Sequence, residues 1–269
     1  MALATAKLAP LPRKETPRLL DQIRVEHGPR SLLGRFFLAA DRAAHDRGVR
    51  LFLRHDFEEF VAFNERARGG TYKLGIFHPA YSHLDAGNAY WIEGRDASGK
   101  LVATQAGRVF DWSETNLKEE LCGLRMFYAD PAADALPGEY CTIDARSAET
   151  VRGRVTYSGG GWYDDAFRGC GLSTILPRIS RAYAYARWGS EFTISFVEDV
   201  LVRKSVVNRY GYTKIEPGIR FRNTLMADMD LNLVWMDTDE MLEDVEAFVS
   251  AEQGRGAHET GRRDYAISA

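Results

Sequence analysis

The run from Val155 to Ser173 constrains the fold of this chain more than any other. Val155-Thr156-Tyr157 is strand-like, Gly159-Gly160-Gly161 follows, and Arg168-Gly169-Cys170-Gly171-Leu172-Ser173 leads straight into an apolar helical stripe. That stripe, Ile175, Ile179, Ala182, Tyr183 and Ala186, keeps three- and four-residue spacing and ends at Trp188-Gly189, with glycine where helices commonly stop. A strand that feeds a helix through glycines brings backbone amides to the helix start, where N–H groups lack intrahelical acceptors and the dipole is positive. Such a turn suits phosphate, and Arg168 adds a forked cationic donor at its rim. A tight connection that binds nothing uses the same glycines, so the residues alone leave both readings open. A nucleotide-hydrolase phosphate loop is excluded because no Gly-Lys-Ser/Thr ending follows. A dinucleotide fingerprint would want three spaced glycines and an acid about 20 residues on.

The flanking pattern predicts an α+β domain. From Pro17, Leu32, Leu33, Phe36, Phe37, Ala40 and Ala44 make one helical face that ends at Gly48. Asp56 and Glu59 then form a capping-box pattern ahead of Phe57, Phe60, Val61 and Asn64, up to Gly69-Gly70. Residues 1–70 therefore read as mainly helical. Asn88 to Glu93 and Leu101 to Phe110 read as a hairpin across Asp96-Ala97-Ser98-Gly99. Further strands are predicted at Leu124–Tyr128, Val151–Tyr157, Phe192–Val197, Gly211–Glu216 and Met229–Met236, with a loop of Asp130, Pro131, Pro137 and Gly138. A last helix is capped by Asp237 and Glu240 and faced by Met241, Leu242, Val245, Phe248 and Val249; residues 254–269 read as a polar tail.

A formal net charge of -3 with both signs interspersed gives no basic field for nucleic acid. Cys122, Cys141 and Cys170 are too few and too irregular for a disulfide framework or a zinc knuckle, and His55, His78 and His83 have no ligand spacing, so no metal is expected. No apolar stretch opens the chain, which points to a cytoplasmic protein with no membrane partner.

Phe167-Arg168-Gly169-Cys170-Gly171-Leu172-Ser173 resembles the acyl-CoA motif of the GNAT superfamily, Arg/Gln-x-x-Gly-x-Gly/Ala, with Ser173 in the final small position. Asn208-Arg209-Tyr210-Gly211-Tyr212 is similar to the family's helix-to-strand element ending in Gly-Phe or Gly-Tyr, and the Leu101–Phe110 hairpin to its second and third strands. The resemblance covers roughly Tyr72 to Trp235. It implies a mixed, mostly antiparallel central sheet flanked by helices (residues 71–253), with 1–70 as an N-terminal helical extension. For that extension three roles stay open: covering the sheet, building the acceptor site, or supporting a homodimer.

By the same resemblance the co-substrate is acetyl-CoA or a longer acyl-CoA. The amides of Gly169, Cys170, Gly171, Leu172 and Ser173, with Arg168, would hold its pyrophosphate. Tyr163 and Asp164, at the end of a splayed strand, would meet the pantetheine and thioester. The acceptor is then a small-molecule or amino-acid amine that attacks the thioester directly, with a backbone N–H near Tyr163 facing the developing oxyanion.

The family's leaving-group tyrosine falls at Val207, which cannot donate a proton. Tyr210 and Tyr212 are the candidates to replace it, and packing aromatics is their other reading. Glu198 is the candidate base. Asp199 beside it reads as a helix cap, and Glu93 and Asp144 are weaker alternatives. Two functions follow: an acyl-CoA-dependent N-acyltransferase, or a catalytically silent acyl-CoA-binding or sensing module.

Overall fold

The computed structural model describes residues 17–69, 75–224 and 227–267, the last of these, 256–267, by backbone alone. The boundary drawn at residue 70 lies outside the described residues. Helices run at α1 Leu19–Gln22, α2 Arg30–His45, α3 Phe57–Ala67, α4 Leu117–Cys122, α5 Pro131–Asp134, α6 Leu172–Trp188, α7 Asp199–Arg203, α8 Val206–Tyr210 and α9 Thr238–Ile267. Strands run at β1 Arg50–Arg54, β2 Ala89–Arg95, β3 Leu101–Trp112, β4 Tyr140–Ile143, β5 Gly153–Tyr163, β6 Phe192–Glu198, β7 Lys214–Arg222 and β8 Met229–Asp237.

The strands form one sheet in the order β1-β2-β3-β5-β6-β8-β7-β4. Every neighbouring pair is antiparallel except β5 and β6, which run parallel, so the expected mixed, mostly antiparallel α+β architecture is what the chain forms. A parallel pair needs a crossover, and α6 supplies it, packing on β3 and β5. One face of the sheet is covered by α2, α6 and α9, whose Phe36, Leu33, Ile179 and Val245 are fully buried. The other face carries an aromatic layer that includes Phe60, Phe77, Trp91 and Tyr157.

Local chemistry sets the turns. In the β2–β3 hairpin Asp96 Oδ1 accepts from the amides of Ser98 (2.9 Å) and Lys100 (3.0 Å), while Gly99 takes the left-handed conformation at φ +86°. The capping box at α9 closes in both directions, with Glu240 N–H donating to Asp237 (3.0 Å) and Asp237 N–H to Glu240 (3.2 Å).

Four expectations change. β1 lies between α2 and α3 and is an edge strand of the sheet, so residues 1–70 carry a strand as well as helices. Leu124–Tyr128 is a chain of turns: Leu124 sits at φ +58° and its carbonyl accepts from both Phe127 and Tyr128. Its alternating burial at Leu124, Met126 and Tyr128 imitates a strand without any ladder. β4 falls just beyond the Pro137-Gly138 turn and pairs with β7, and β7 starts at Lys214 and crosses Pro217 at a register break, where proline costs no ladder bond. Finally, α9 runs on to Ile267, through the stretch read as a polar tail.

Candidate functional site

The site begins where β5 and β6 part. Their ladder joins Val155 to Phe192, Thr156 to Thr193 and Tyr157 to Ile194, then ends. Beyond Tyr157, β5 stays with β3 as far as Tyr163, while β6 stays with β8 as far as Glu198. The glycine run bends β5 away: Ala106 faces Gly159 but Thr104 faces Trp162, one residue more on β5 than on β3, and Gly160 takes φ +64°. Between the parted strands is a cavity of about 430 Å³. Its walls come from both layers, with Tyr163, Pro177, Tyr210 and Tyr212 from the α6 side and Phe127, Tyr157 and Phe221 from the aromatic side.

Two polar groups on these walls have no partner. The hydroxyls of Tyr163 and Tyr212 are buried and make no hydrogen bond, a costly state for a polar group. Burial lifts Tyr163 well above an ordinary phenol, and the neighbouring Tyr210 pushes the same way. Tyr212 is pushed up to about 12, by burial first; the Arg181 guanidinium pulls it back, and Ser158 does so too, although no hydrogen bond of normal geometry joins that pair. Asp164 N–H donates to Val102 O across the β3 edge (2.8 Å), so by strand alternation the Tyr163 amide turns to the edge that β6 has left.

The turn into α6 joins two of these walls, Tyr163 and Pro177, without itself lining the cavity. Gly169 and Gly171 sit at φ +82° and +86°, and a Cβ on Gly169 would meet nothing within 4 Å, so the turn is open on that side. α6 starts at Leu172, which leaves the amides of Leu172 and Ser173 without intrahelical acceptors, while Thr174 N–H donates to Gly171 O (3.0 Å) and Cys170 N–H to Phe167 O (3.4 Å). Arg168 pairs with Asp165 (2.7 Å), and both side chains are largely exposed. Asp164 is committed elsewhere: its carboxylate accepts from Lys100 (2.7 Å) and from Ala166 N–H (3.0 Å), and the Lys100 bond leads the causes that lower its pKa. Arg47, from the corner after α2, donates to Cys170 O at 2.7 Å.

Tyr210, Tyr212 and Glu198 all line the cavity. Buried arginines hold the two tyrosines there. Arg181, with no exposed side-chain surface, donates to Tyr210 O (2.7 Å) and lies 5.3 Å from the Tyr212 ring; Arg178 donates to Arg209 O (2.8 Å). Both end on Asp244, Arg178 at 2.7 Å and Arg181 in a shorter pair. Burial raises Tyr210, and Arg209 opposes it. Val207 is wholly buried in the core.

Other candidates have different tasks. Asp199 is the first residue of α7 rather than its cap; it accepts from Asn232 (2.9 Å) and Arg203 (3.0 Å), which lower its pKa. Glu93 is buried between Arg54 (2.6 Å) and Arg95, and Asp144 pairs with Arg220 (2.7 Å). No cluster of three metal-ligating side chains occurs among the described residues, and no described helix is long and apolar enough to cross a membrane. Arg68 and Glu139 on the cavity wall escape sequence reading, since the strand parting and the β4 turn, not a local motif, bring them there.

No protein-family model matches this chain, and no curated protein matches it. Among solved structures it is similar to Arabidopsis thaliana NAA60 in complex with acetyl-CoA, with 11% identity over 71% of this chain and 99% of that chain and a TM-score of 0.45. It is similar to ribosomal-protein-S5-alanine acetyltransferase from Vibrio fischeri, with 10% identity over 71% and 94% and a TM-score of 0.42. It is also similar to the GNAT domain of S. lividans PAT, with 16% identity over 70% and 90% and a TM-score of 0.39.

Proposed function

We propose that this chain is an acyl-CoA-dependent N-acyltransferase that moves an acetyl or longer acyl group from CoA to the amine of a small molecule. The observation that carries this is the parting of β5 from β6 after Tyr157 and Ile194, which opens a cavity to both layers beside an open glycine turn at a helix start. The amides of Gly169, Gly171, Leu172 and Ser173, with Arg168, hold the pyrophosphate, the Cys170 amide being given to Phe167 O (3.4 Å), and Asp164 acts by fixing the turn rather than by touching the ligand.

Acyl-CoA supplies the activated carbonyl. The amine nitrogen bonds to that carbon as the carbon–sulfur bond breaks, so R-NH₃⁺ and acyl-CoA give the amide, CoA thiol and one proton. The Tyr163 amide, turned to the cleft, donates to the carbonyl oxygen as charge grows on it. Glu198, exposed at the end of β6, takes the ammonium proton through water. Tyr212, at about 12, lies roughly three units above a thiol, so it steadies the leaving sulfur as a hydrogen-bond donor. Tyr210, on the same wall, is the alternative donor.

One observation favours a second reading. Val207, where the family's proton donor stands, is wholly buried, which suits a silent module that binds acyl-CoA without turning it over. Titration calorimetry with acetyl-CoA, CoA and a long-chain acyl-CoA, followed by thiol release across an amine panel, separates the two. Binding with amine-dependent thiol release supports the enzyme and binding without release supports the module. No binding by a folded sample removes both.

A further inference from the structure

The half of the cavity that faces away from α6 has a definite character. Its wall is a series of rings: Tyr157 to Phe196 at 5.1 Å between centroids, Phe196 to Phe221 at 6.4 Å, and Phe221 to Phe127 at 5.0 Å. Such offset and edge-on rings favour a further ring laid against them over a flexible polar chain. The sign of the charge is set as well. Glu139 and Glu198 are the carboxylates on the wall among the described residues, against the single guanidinium of Arg68. Glu139 is held in place, accepting from the Tyr128 hydroxyl at 2.9 Å to each oxygen and from Leu136 N–H at 2.9 Å. Arg68 is turned to Gly161 O (2.7 Å) and Asn64 Oδ1 (3.2 Å).

Resting on the acyltransferase reading, we infer that the acceptor is a primary amine on an aromatic body, an arylalkylamine, with its ring on the Phe127–Phe221–Phe196 wall and its ammonium drawn by Glu139 and Glu198. A polyamine would leave the ring wall without a partner and would need further carboxylates along its length. A volume of about 430 Å³ suits one small molecule.

The test uses the full chain and two readouts. Quenching of intrinsic fluorescence gives the affinity of phenethylamine, spermidine and the uncharged analogue 2-phenylethanol. Thiol release with acetyl-CoA gives KM and kcat for the two amines. Phenethylamine is expected to bind and to react with a kcat/KM at least about tenfold above spermidine's. Glu139→Gln should weaken phenethylamine by about tenfold, the size of a charge-assisted hydrogen bond, while leaving 2-phenylethanol and the Kd of acetyl-CoA unchanged. Phe127→Ala, at a half-buried position, should weaken both ring compounds by about fivefold. Spermidine preferred over phenethylamine, with acetyl-CoA still bound, overturns the inference and leaves the acyltransferase reading intact. So does dodecanoyl-CoA binding far more tightly than acetyl-CoA and displacing phenethylamine, since the rings would then hold an acyl chain. Failure to bind any acyl-CoA removes the reading and the inference with it.

Discussion

Replacing Asp244 by alanine strips the counter-charge from two arginines at once. Arg181 has no exposed side-chain surface and Arg178 only 11%, so neither can recover the loss by turning to water. Arg181 keeps its bond to Tyr210 O and its place over Tyr212, and Arg178 keeps the carbonyls of Thr174 and Arg209; these carry partial charge only. Breaking a buried ion pair from one side costs about 3–5 kcal/mol, because the penalty is the stranded cation and not the bond itself. For a chain of this size that is roughly 10 °C in Tm. Equilibrium urea unfolding, followed through the five tryptophans, measures it, and an unchanged m-value shows that the states compared are the same. Arg178→Met and Arg181→Met with Asp244→Leu remove both cations and their shared anion, and the triple variant should cost less than Asp244→Ala alone. The same single substitution loosens Tyr210 and Tyr212, so ligand affinity should fall with it. A loss below about 1 kcal/mol for Asp244→Ala, or a triple variant less stable than the single one, refutes the argument.

Gly169→Ala and Gly171→Ala each place a Cβ at φ above +80°, at a cost of about 1–2 kcal/mol, and both should weaken acetyl-CoA by at least about tenfold; full affinity by calorimetry would show that the turn holds no phosphate. Tyr212 keeps its proton in the fold to about pH 12, whereas an unfolded tyrosine releases it near 10, so the native state binds more protons there. Its stabilisation is complete below about pH 10 and declines as pH rises toward 12; Tyr212→Phe should flatten that decline in urea unfolding across pH 9–11, and an identical slope counts against it. Asp237 is held low because hydrogen bonds at the α9 start and the Lys214 pair outweigh its burial, so its contribution is present above about pH 4 and lost as pH falls below. Asp237→Ala should cost about 1 kcal/mol at pH 7 by thermal unfolding and nothing near pH 2.

What the chain's sequence made legible was periodic and local. The α6 stripe, the β6 alternation of Phe192, Ile194 and Phe196, the Asp96–Gly99 turn and the Asp237–Glu240 cap each depend on residues a few positions apart, and each has its place in the fold. β1 was hidden because Arg50 to Arg54 is short and its partner, β2, lies about forty positions on, so its pairing is a tertiary fact. Pro217-Gly218 hid the length of β7, since a proline at a bulge reads as an end. Of the candidate site, Tyr163, Tyr210 and Tyr212 were nameable because each lies within two residues of a glycine at a strand or helix end, and Glu198 because it follows the β6 alternation. Arg68 and Glu139 were not, because they reach the cavity from loops whose course is decided by packing.

The N-terminal residues bear directly on what the glycine turn can do. β2 carries Glu93 at its centre with no exposed surface, and one of its two cations, Arg54, comes from β1. A chain without β1 would leave that carboxylate with Arg95 alone on a newly exposed edge, while the faces of α6 and α9 that meet α2 would lose their cover. Arg47 ties the same segment to the turn by donating to Cys170 O, one residue ahead of the left-handed Gly171. A carbonyl so held cannot swing into the space over the first α6 amides, where it would compete with an anion for the same donors. That contact is made from 123 positions away. In this chain the N-terminal segment and the glycine turn are joined by a direct hydrogen bond, and the phosphate chemistry proposed for residues 168–173 depends on both.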